Sequence, residues 1–424
     1  MNSSAKNLEG LGMSSEWRAS TWGEISKLEY GKAIRGYQEA KGKYPVYGTN
    51  GQIGWHDKSL SAQPGVIIGR KGAYRGIHYS DKPFFVIDTA FYLVPKNQIN
   101  IKWAYYCLLT YDINRMDSGS AIPSTSREEF YKLPVKIPSL AEQQSIAGIV
   151  EPLDDRIALL RETNATLESI AQAIFKSWFI EFDAVKARQQ GQEPQGMDAA
   201  TAALFPDAFQ DSELGPIPAG WEVGSVYDLA QYVNGAAYKA FEPNLEQKGL
   251  PIIKIAELKA GVTSQTAYSE VNMPSKYRIA TRDILFSWSG NPDTSIDIFL
   301  WLHGDAWLNQ HIFRVIPKVE QERSFVYLTL KTLKPVFSEI ARNKQTTGLG
   351  HVTVSDLKCL KIIRPNNVLL QEWNKIIDPL LEQAFVMQQK IQTLASIRDT
   401  LLPRLISGRL RLPEAEAMAG EVGL

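Results

Sequence analysis

Apolar residues recur at alternating steps of four and three along two stretches of the chain. The first runs through Ile146, Val150, Leu153, Ile157 and Leu160 and on to Leu167, Ile174 and Trp178. The second runs through Trp373, Ile377, Leu380, Ala384, Met387, Ile391, Leu394, Leu401 and Leu405. That spacing is a coiled-coil seam. Asn164 and Ala171 interrupt the first seam and Arg398 the second. A helix of ~35 residues extends roughly 50 Å at about 1.5 Å per residue, too long to hide in one small domain, so each helix is predicted to have the other as its antiparallel partner. Pro152 and Pro379 predict a kink or restart at the same point in each. Elsewhere short apolar runs such as Val66 to Ile68, Phe84 to Ile87, Ile252 to Ile255 and Ile284 to Phe286 read as strands, punctuated by turns such as Gly48-Thr49-Asn50-Gly51.

The two halves of the chain follow one plan. Trp17, Trp22, Glu24 and Ile25 correspond to Trp221, Val226, Asp228 and Leu229, and Gly31 to Gly235, all at a shift of 204. The shift then grows, as loop insertions require, and locks at 227 from Gly119 to Phe179, pairing Leu133, Pro138, Pro152 and Leu167 with Leu360, Pro365, Pro379 and Leu394. The predicted fold class is α+β: two similar mixed α/β globular domains separated by a long antiparallel two-helix coiled coil, with a pseudo-twofold internal repeat. The boundaries are 1–139 and 221–366 for the domains and 140–185 and 367–412 for the helices. A Gln-, Gly-, Pro- and Ala-rich connector spans 186–220, and 413–424 is a tail expected to fray.

Composition narrows the function classes. Lys+Arg and Asp+Glu both total 46, so any binding to nucleic acid must come from local patches and not from the net charge. Cys107 and Cys359 stand alone, and the five histidines have no metal-ligand spacing. With no signal pattern in Met1 to Glu16 and no apolar run of ~18 residues, a cytoplasmic location is expected.

Several segments, in order, resemble the specificity subunits of type I restriction-modification systems. Leu133-Pro134-Val135-Lys136-Ile137-Pro138 with Glu142-Gln143-Gln144 is similar to the start of that family's central helix, and Ala171 to Phe179 to its end. Leu204-Phe205-Pro206-Asp207, Glu213 to Pro218 and Gly220-Trp221 resemble the lead into its second recognition domain, and Leu401 to Gly408 its closing helix. The resemblance implies a non-catalytic subunit whose two target-recognition domains each read half of a split, asymmetric site in double-stranded DNA. It also implies helices that set the spacing and dock two methyltransferase subunits and, where the system has one, a translocating endonuclease. No cofactor is expected on this chain; S-adenosylmethionine would sit on the methyltransferase partners, and ATP and Mg on the endonuclease.

Candidate DNA contacts follow from residue type. Gly69-Arg70-Lys71-Gly72-Ala73-Tyr74-Arg75 follows a strand and offers three cations, an aromatic ring and glycines that permit close approach. Arg70, Lys71, Tyr74 and Arg75 are its candidates, against the bland alternative of a solvated hairpin. The matching loop of the second half, with Ser287, Trp288 and Asn291, lacks cations; its alternative is Trp288 as core. Ser118 to Ser126 precedes a helix, with Ser120 and Ser124 as candidates and Ser126 with Glu129 as a predicted capping box that Thr353 and Asp356 mimic weakly. Its companion loop offers Lys344, Thr346, Thr347 and His351. Lys41, Lys43, Tyr47 and Asn50 form one mixed patch, and Lys254 and Lys259, with Lys276 and Arg278, another; any one of these lysines also reads as a solvated charge.

A self-sufficient methyltransferase or nuclease is the competing reading. The sequence offers it little: Asn291-Pro292-Asp293-Thr294 is not an Asn/Asp-Pro-Pro-aromatic motif, and no Gly-x-x-x-x-Gly-Lys-Ser/Thr loop occurs.

Overall fold

The two seams fold as helices of equal length, Leu140–Phe179 and Asn367–Ile406, each 40 residues and therefore about 60 Å long. Both begin on a capping residue at the same repeat position. The Ser139 hydroxyl accepts from Glu142 N at 3.3 Å, and the Asn366 carboxamide oxygen accepts from Leu369 N at 2.9 Å. The restart expected as one outcome at each proline does not occur: Pro152 and Pro379 lie inside uninterrupted helix. A proline removes one i→i−4 bond, and the buried Val150, Leu153 and Ile377 beside these sites hold the helical path. This computed structural model describes residues 17–38, 41–116, 123–345 and 349–420.

The chain divides into two units, one reaching Ala158 and resuming at Gln392, the other Leu159–Ile391, so each takes part of both long helices. In the first unit the strands are β1 (Arg18–Thr21), β2 (Ser26–Tyr30), β3 (Tyr44–Gly48), β4 (Gly51–His56), β5 (Gly65–Gly69), β6 (Ile77–Ser80), β7 (Phe85–Val86), β8 (Ala90–Pro95) and β9 (Pro134–Ile137). In the second, β10 (Phe209–Gln210) and β11 (Ile217–Pro218) form a hairpin. They are followed by β12 (Glu222–Ser225), β13 (Ala230–Asn234), β14 (Leu250–Ile253), β15 (Tyr268–Ser269), β16 (Arg278–Ile279), β17 (Ile284–Ser287), β18 (Ser289–Gly290), β19 (Asp297–Leu300), β20 (Ala306–Leu308), β21 (Ile312–Pro317), β22 (Gly350–His351) and β23 (Lys361–Arg364).

The topologies coincide. An antiparallel sheet ordered β2-β8-β5-β6 in one unit is β13-β21-β17-β19 in the other, β1 pairs with β9 as β12 does with β23, and β3 runs parallel to β7 as β14 does to β20. The middle strands β5 and β17 are buried at every position because both faces are covered, and all but Ser287 are apolar or glycine. Ile67 faces Tyr47, Phe84 and Val86, and Leu285 faces Ile253 and Leu308, while Ile284 and Phe286 join the cluster that holds Phe325 and Leu328. The glycine shared by both halves has a steric cause. A Cβ on Gly31 would lie 1.9 Å from the Ile87 carbonyl oxygen, and one on Gly235 2.2 Å from that of Leu308.

Within each unit the long helices run antiparallel and meet differently. In the first, Arg398 Nη1 donates to Asp154 Oδ1 at 2.8 Å, so the cation that breaks the seam has a partner on the facing helix. In the second, Phe175 and Phe179 pack on Trp373 at ring separations of 6.1 and 5.3 Å, with Phe325 and Trp221 completing an aromatic cluster. Asn164 lies in the seam, buried, with its Oδ1 lacking a partner among the described residues.

Two further expectations change. The segment read as a connector is ordered: it carries helix Ala199–Ala202 and the β10–β11 hairpin, and Phe205 packs edge-on against Trp178 at 5.0 Å. Phe205, with Phe209 against Phe182 at 6.2 Å, anchors it where composition shows no period. The tail forms helix Leu412–Gly420, pinned by the fully buried Ala415.

Candidate nucleic-acid interface

In each unit the end of the middle strand is gripped on both sides by main-chain bonds. Arg70 N donates to the Thr89 carbonyl at 2.9 Å, and the Arg70 carbonyl accepts from Thr125 N at 2.8 Å. In the second unit Trp288 N donates to the His311 carbonyl at 3.4 Å, and the Trp288 carbonyl accepts from Val352 N at 2.8 Å. Positions 70 and 288 are therefore the same place in one frame. Lys71 bridges to Ser124 where Ser289 pairs with His351, so the strand-end loop and the segment before the following short helix form one surface in each lobe.

A third element joins each surface. In the first lobe the β3–β4 turn supplies the Thr49 carbonyl to Gly76 N at 3.0 Å, which brings exposed Asn50 beside the Arg70 loop. In the second, helix Ile255–Ala260 follows β14, and its Lys259 ammonium donates to the Thr294 carbonyl. Lys254 lies over the Tyr238 ring at 5.2 Å and 4.0 Å from Glu257.

The side chains at the shared position differ in chemistry. The Arg70 guanidinium donates to the Asp88 carbonyl at 3.0 Å and lies over Tyr30 and Phe91, 4.8 and 5.7 Å from their centroids. Trp288 stacks on Phe313 at 5.5 Å, the counterpart of Phe91, and its indole N–H donates to Asn234 Oδ1 at 3.1 Å. Half-buried Trp288 is thus a braced ring at the edge of the core cluster. Tyr74 is 83% exposed. Lys71 lies 3.7 Å from Asp88.

Other candidates are committed elsewhere. Arg75 is buried, and its guanidinium donates to the carbonyls of Gly72, Ile113, Asn114 and Met116 at 2.8 to 3.2 Å. It fastens the loop and leaves the interface, because its guanidinium is buried. Tyr47 and Ser287 are buried and also leave it: β3 and β17 are buried at successive positions there, so both side chains lie inside. Asn291 Oδ1 accepts from Asp293 N and Thr294 N, capping its own turn. Lys344 holds both oxygens of Asp356 at 2.6 and 2.7 Å and braces a helix start. Burial alone would raise the Asp356 carboxyl; the Lys344 ammonium and the Thr353 hydroxyl outweigh it and hold the group below the usual range. Thr353 and Asp356 make the complete capping box, whereas Ser126 only accepts from Glu129 N, reversing the expected ranking. Lys41 and Lys43 are exposed, Lys43 over the Tyr44 ring at 5.4 Å, and Arg278 pairs with Asp305. Ser120, Thr346 and Thr347 lie outside the described residues.

The residues missed by sequence reasoning are Tyr30 and Asn234, which face positions 70 and 288, and His311. Their signal was present: Tyr30 and Asn234 stand at the shared shift of 204, immediately before Gly31 and Gly235. Among the described residues no group of three or more His, Cys, Asp or Glu could hold a metal ion, and no helix is long and apolar enough to cross a membrane.

Comparison with known proteins meets this geometry. The family profile described as type I restriction modification DNA specificity domain matches residues 14–169 and again 218–396. The specificity subunit of the type I restriction enzyme HindI of Haemophilus influenzae is 26% identical over 384 residues, covering 78% of this chain and 82% of that one. The MjaIX specificity subunit of Methanocaldococcus jannaschii is 26% identical over 330 residues, covering 76% and 72%. In fold, the crystal structure of the type I S subunit from M. genitalium superposes with a TM-score of 0.59 at 18% identity, covering 93% of this chain and 97% of that chain. With the profile matching most of its length, and once on each lobe, this chain belongs to the type I restriction-modification specificity subunits, the non-catalytic DNA-recognition members of their complexes.

Proposed function

We propose that the chain reads a split, asymmetric DNA site, one half-site per lobe, and docks two methyltransferase subunits, with endonuclease subunits where the system has them. One observation carries this reading: a single main-chain frame, repeated, presents a guanidinium at position 70 and an indole at position 288. Arginine can bond two acceptors on guanine in the major groove, whereas an indole offers apolar contact and one donor. Two lobes so equipped favour different bases, which makes the address asymmetric. S-adenosylmethionine would be held by the methyltransferase partners, and ATP and Mg by the endonuclease; the long helices supply the spacer.

Mapping methylated positions in genomic DNA from cells with and without the gene tests the reading, and one modified split sequence should vanish with the gene. Removing matched heptads from both long helices should shorten the unread gap. Methylation independent of the gene, or a gap indifferent to helix length, would overturn it.

A further inference from the structure

Tyr30, 43% exposed at the end of β2, gathers two cations. The guanidinium carbons of Arg70 and Arg127 lie 4.8 and 4.4 Å from its ring centroid. A ring face attracts each cation, yet the two repel each other, and a pair held this way gains from an intervening anion. Among the described residues neither guanidinium is ion-paired with a carboxylate, whereas nearby Lys27 is paired with Glu29 at 2.5 Å. A shallow cavity of about 570 Å³ opens over the ring, with Lys132 a third cation in its wall against the carboxylates of Glu128 and Glu129. The second lobe has no such cluster: Asn234, Trp288 and Val354 stand at the matching positions, all uncharged.

We propose that Arg127, gathered with Arg70 onto Tyr30, is a phosphate-binding residue that seats the DNA backbone beside the first half-site and leaves Arg70 to reach a base edge. Planar guanidinium forks suit phosphate oxygens, and phosphate contacts fix register without carrying sequence. The inference rests on the DNA reading above. It deepens that reading by giving the two lobes unequal electrostatic grip.

The test uses the full chain, a pool of random-sequence duplexes and a range of salt concentrations. Arg127→Gln should weaken binding to every duplex several-fold and lower the slope of log affinity against log salt by roughly one, leaving the selected sequence unchanged. Arg127→Lys should restore most of the slope, which a purely structural role would not do. An unchanged slope in Arg127→Gln, or a changed base preference in the first half-site, overturns the proposal while wild-type binding stands. A wild-type chain that binds no duplex overturns the DNA reading, and this proposal with it.

Discussion

Positions 70 and 288 receive the same two main-chain bonds from the same neighbours, yet one lobe places a cation there and the other an indole. The first lobe stacks its guanidinium on two rings, while the second stacks its ring on Phe313 and ties it to Asn234. The long helices show a like contrast, with an ion pair joining them in the first unit and an aromatic cluster in the second. At these positions a shared backbone frame therefore coexists with unshared chemistry, carried by side chains that the frame does not constrain.

The largest effect should come from the aromatic cluster. Trp373 and Ile146 occupy the same repeat position and are both buried. Trp373→Ala should cost about 4 kcal/mol and Ile146→Ala about 3 kcal/mol, read as shifted urea midpoints, because the larger side chain leaves the larger cavity. Equal costs would dissolve the contrast between the helix contacts. Next, Arg75→Ala should cost about 3 kcal/mol by stranding the buried carbonyls of Ile113 and Met116 and the part-buried ones of Gly72 and Asn114. Arg75→Lys should recover little, since an ammonium cannot span that fork. Wild-type stability in Arg75→Ala would return this residue to the interface.

Smaller effects fall on recognition itself. Arg70→Gln and Trp288→Ala should each relax selection in one half-site only, by about 1–3 kcal/mol per base pair, scored by selection from random duplexes. Relaxation of both half-sites by either variant would end the one-lobe, one-half-site assignment. The smallest effect is acid sensitivity. Burial alone would raise the Asp297 carboxyl, but the Lys331 and Lys334 ammoniums outweigh it and hold the group low, as Lys344 does for Asp356. A carboxylate depressed in the folded state gives stability that is complete above its unfolded value, about 3.9, and is lost as pH falls through the folded one. In the first unit the described carboxylate held low is Glu24, fully exposed. Hydrogen exchange below about pH 4 should therefore open the second unit first, and Asp297→Asn should reduce the difference between units.

Much of this architecture was legible in the sequence because it rests on spacing. The seam residues Ile146 to Leu160 predicted the long helix, and the 204 and 227 shifts predicted matched topologies. Less of the interface was legible, because a side chain's employment depends on neighbours distant in the chain. Arg75 and Arg70 lie five residues apart in one basic loop, and only the fold shows that Ile113 to Met116 consumes one of them. Phe205, likewise, falls in a segment whose composition reads as a connector, and only the fold shows its partner Trp178.

The main-chain grip on positions 70 and 288 uses only amide and carbonyl groups, so any residue but proline can keep it. On the proposed reading, a change of amino acid there would alter which letters the subunit spells without unravelling the scaffold that holds them. The chain is thereby open to acquiring a new target vocabulary one codon at a time, independently in each half.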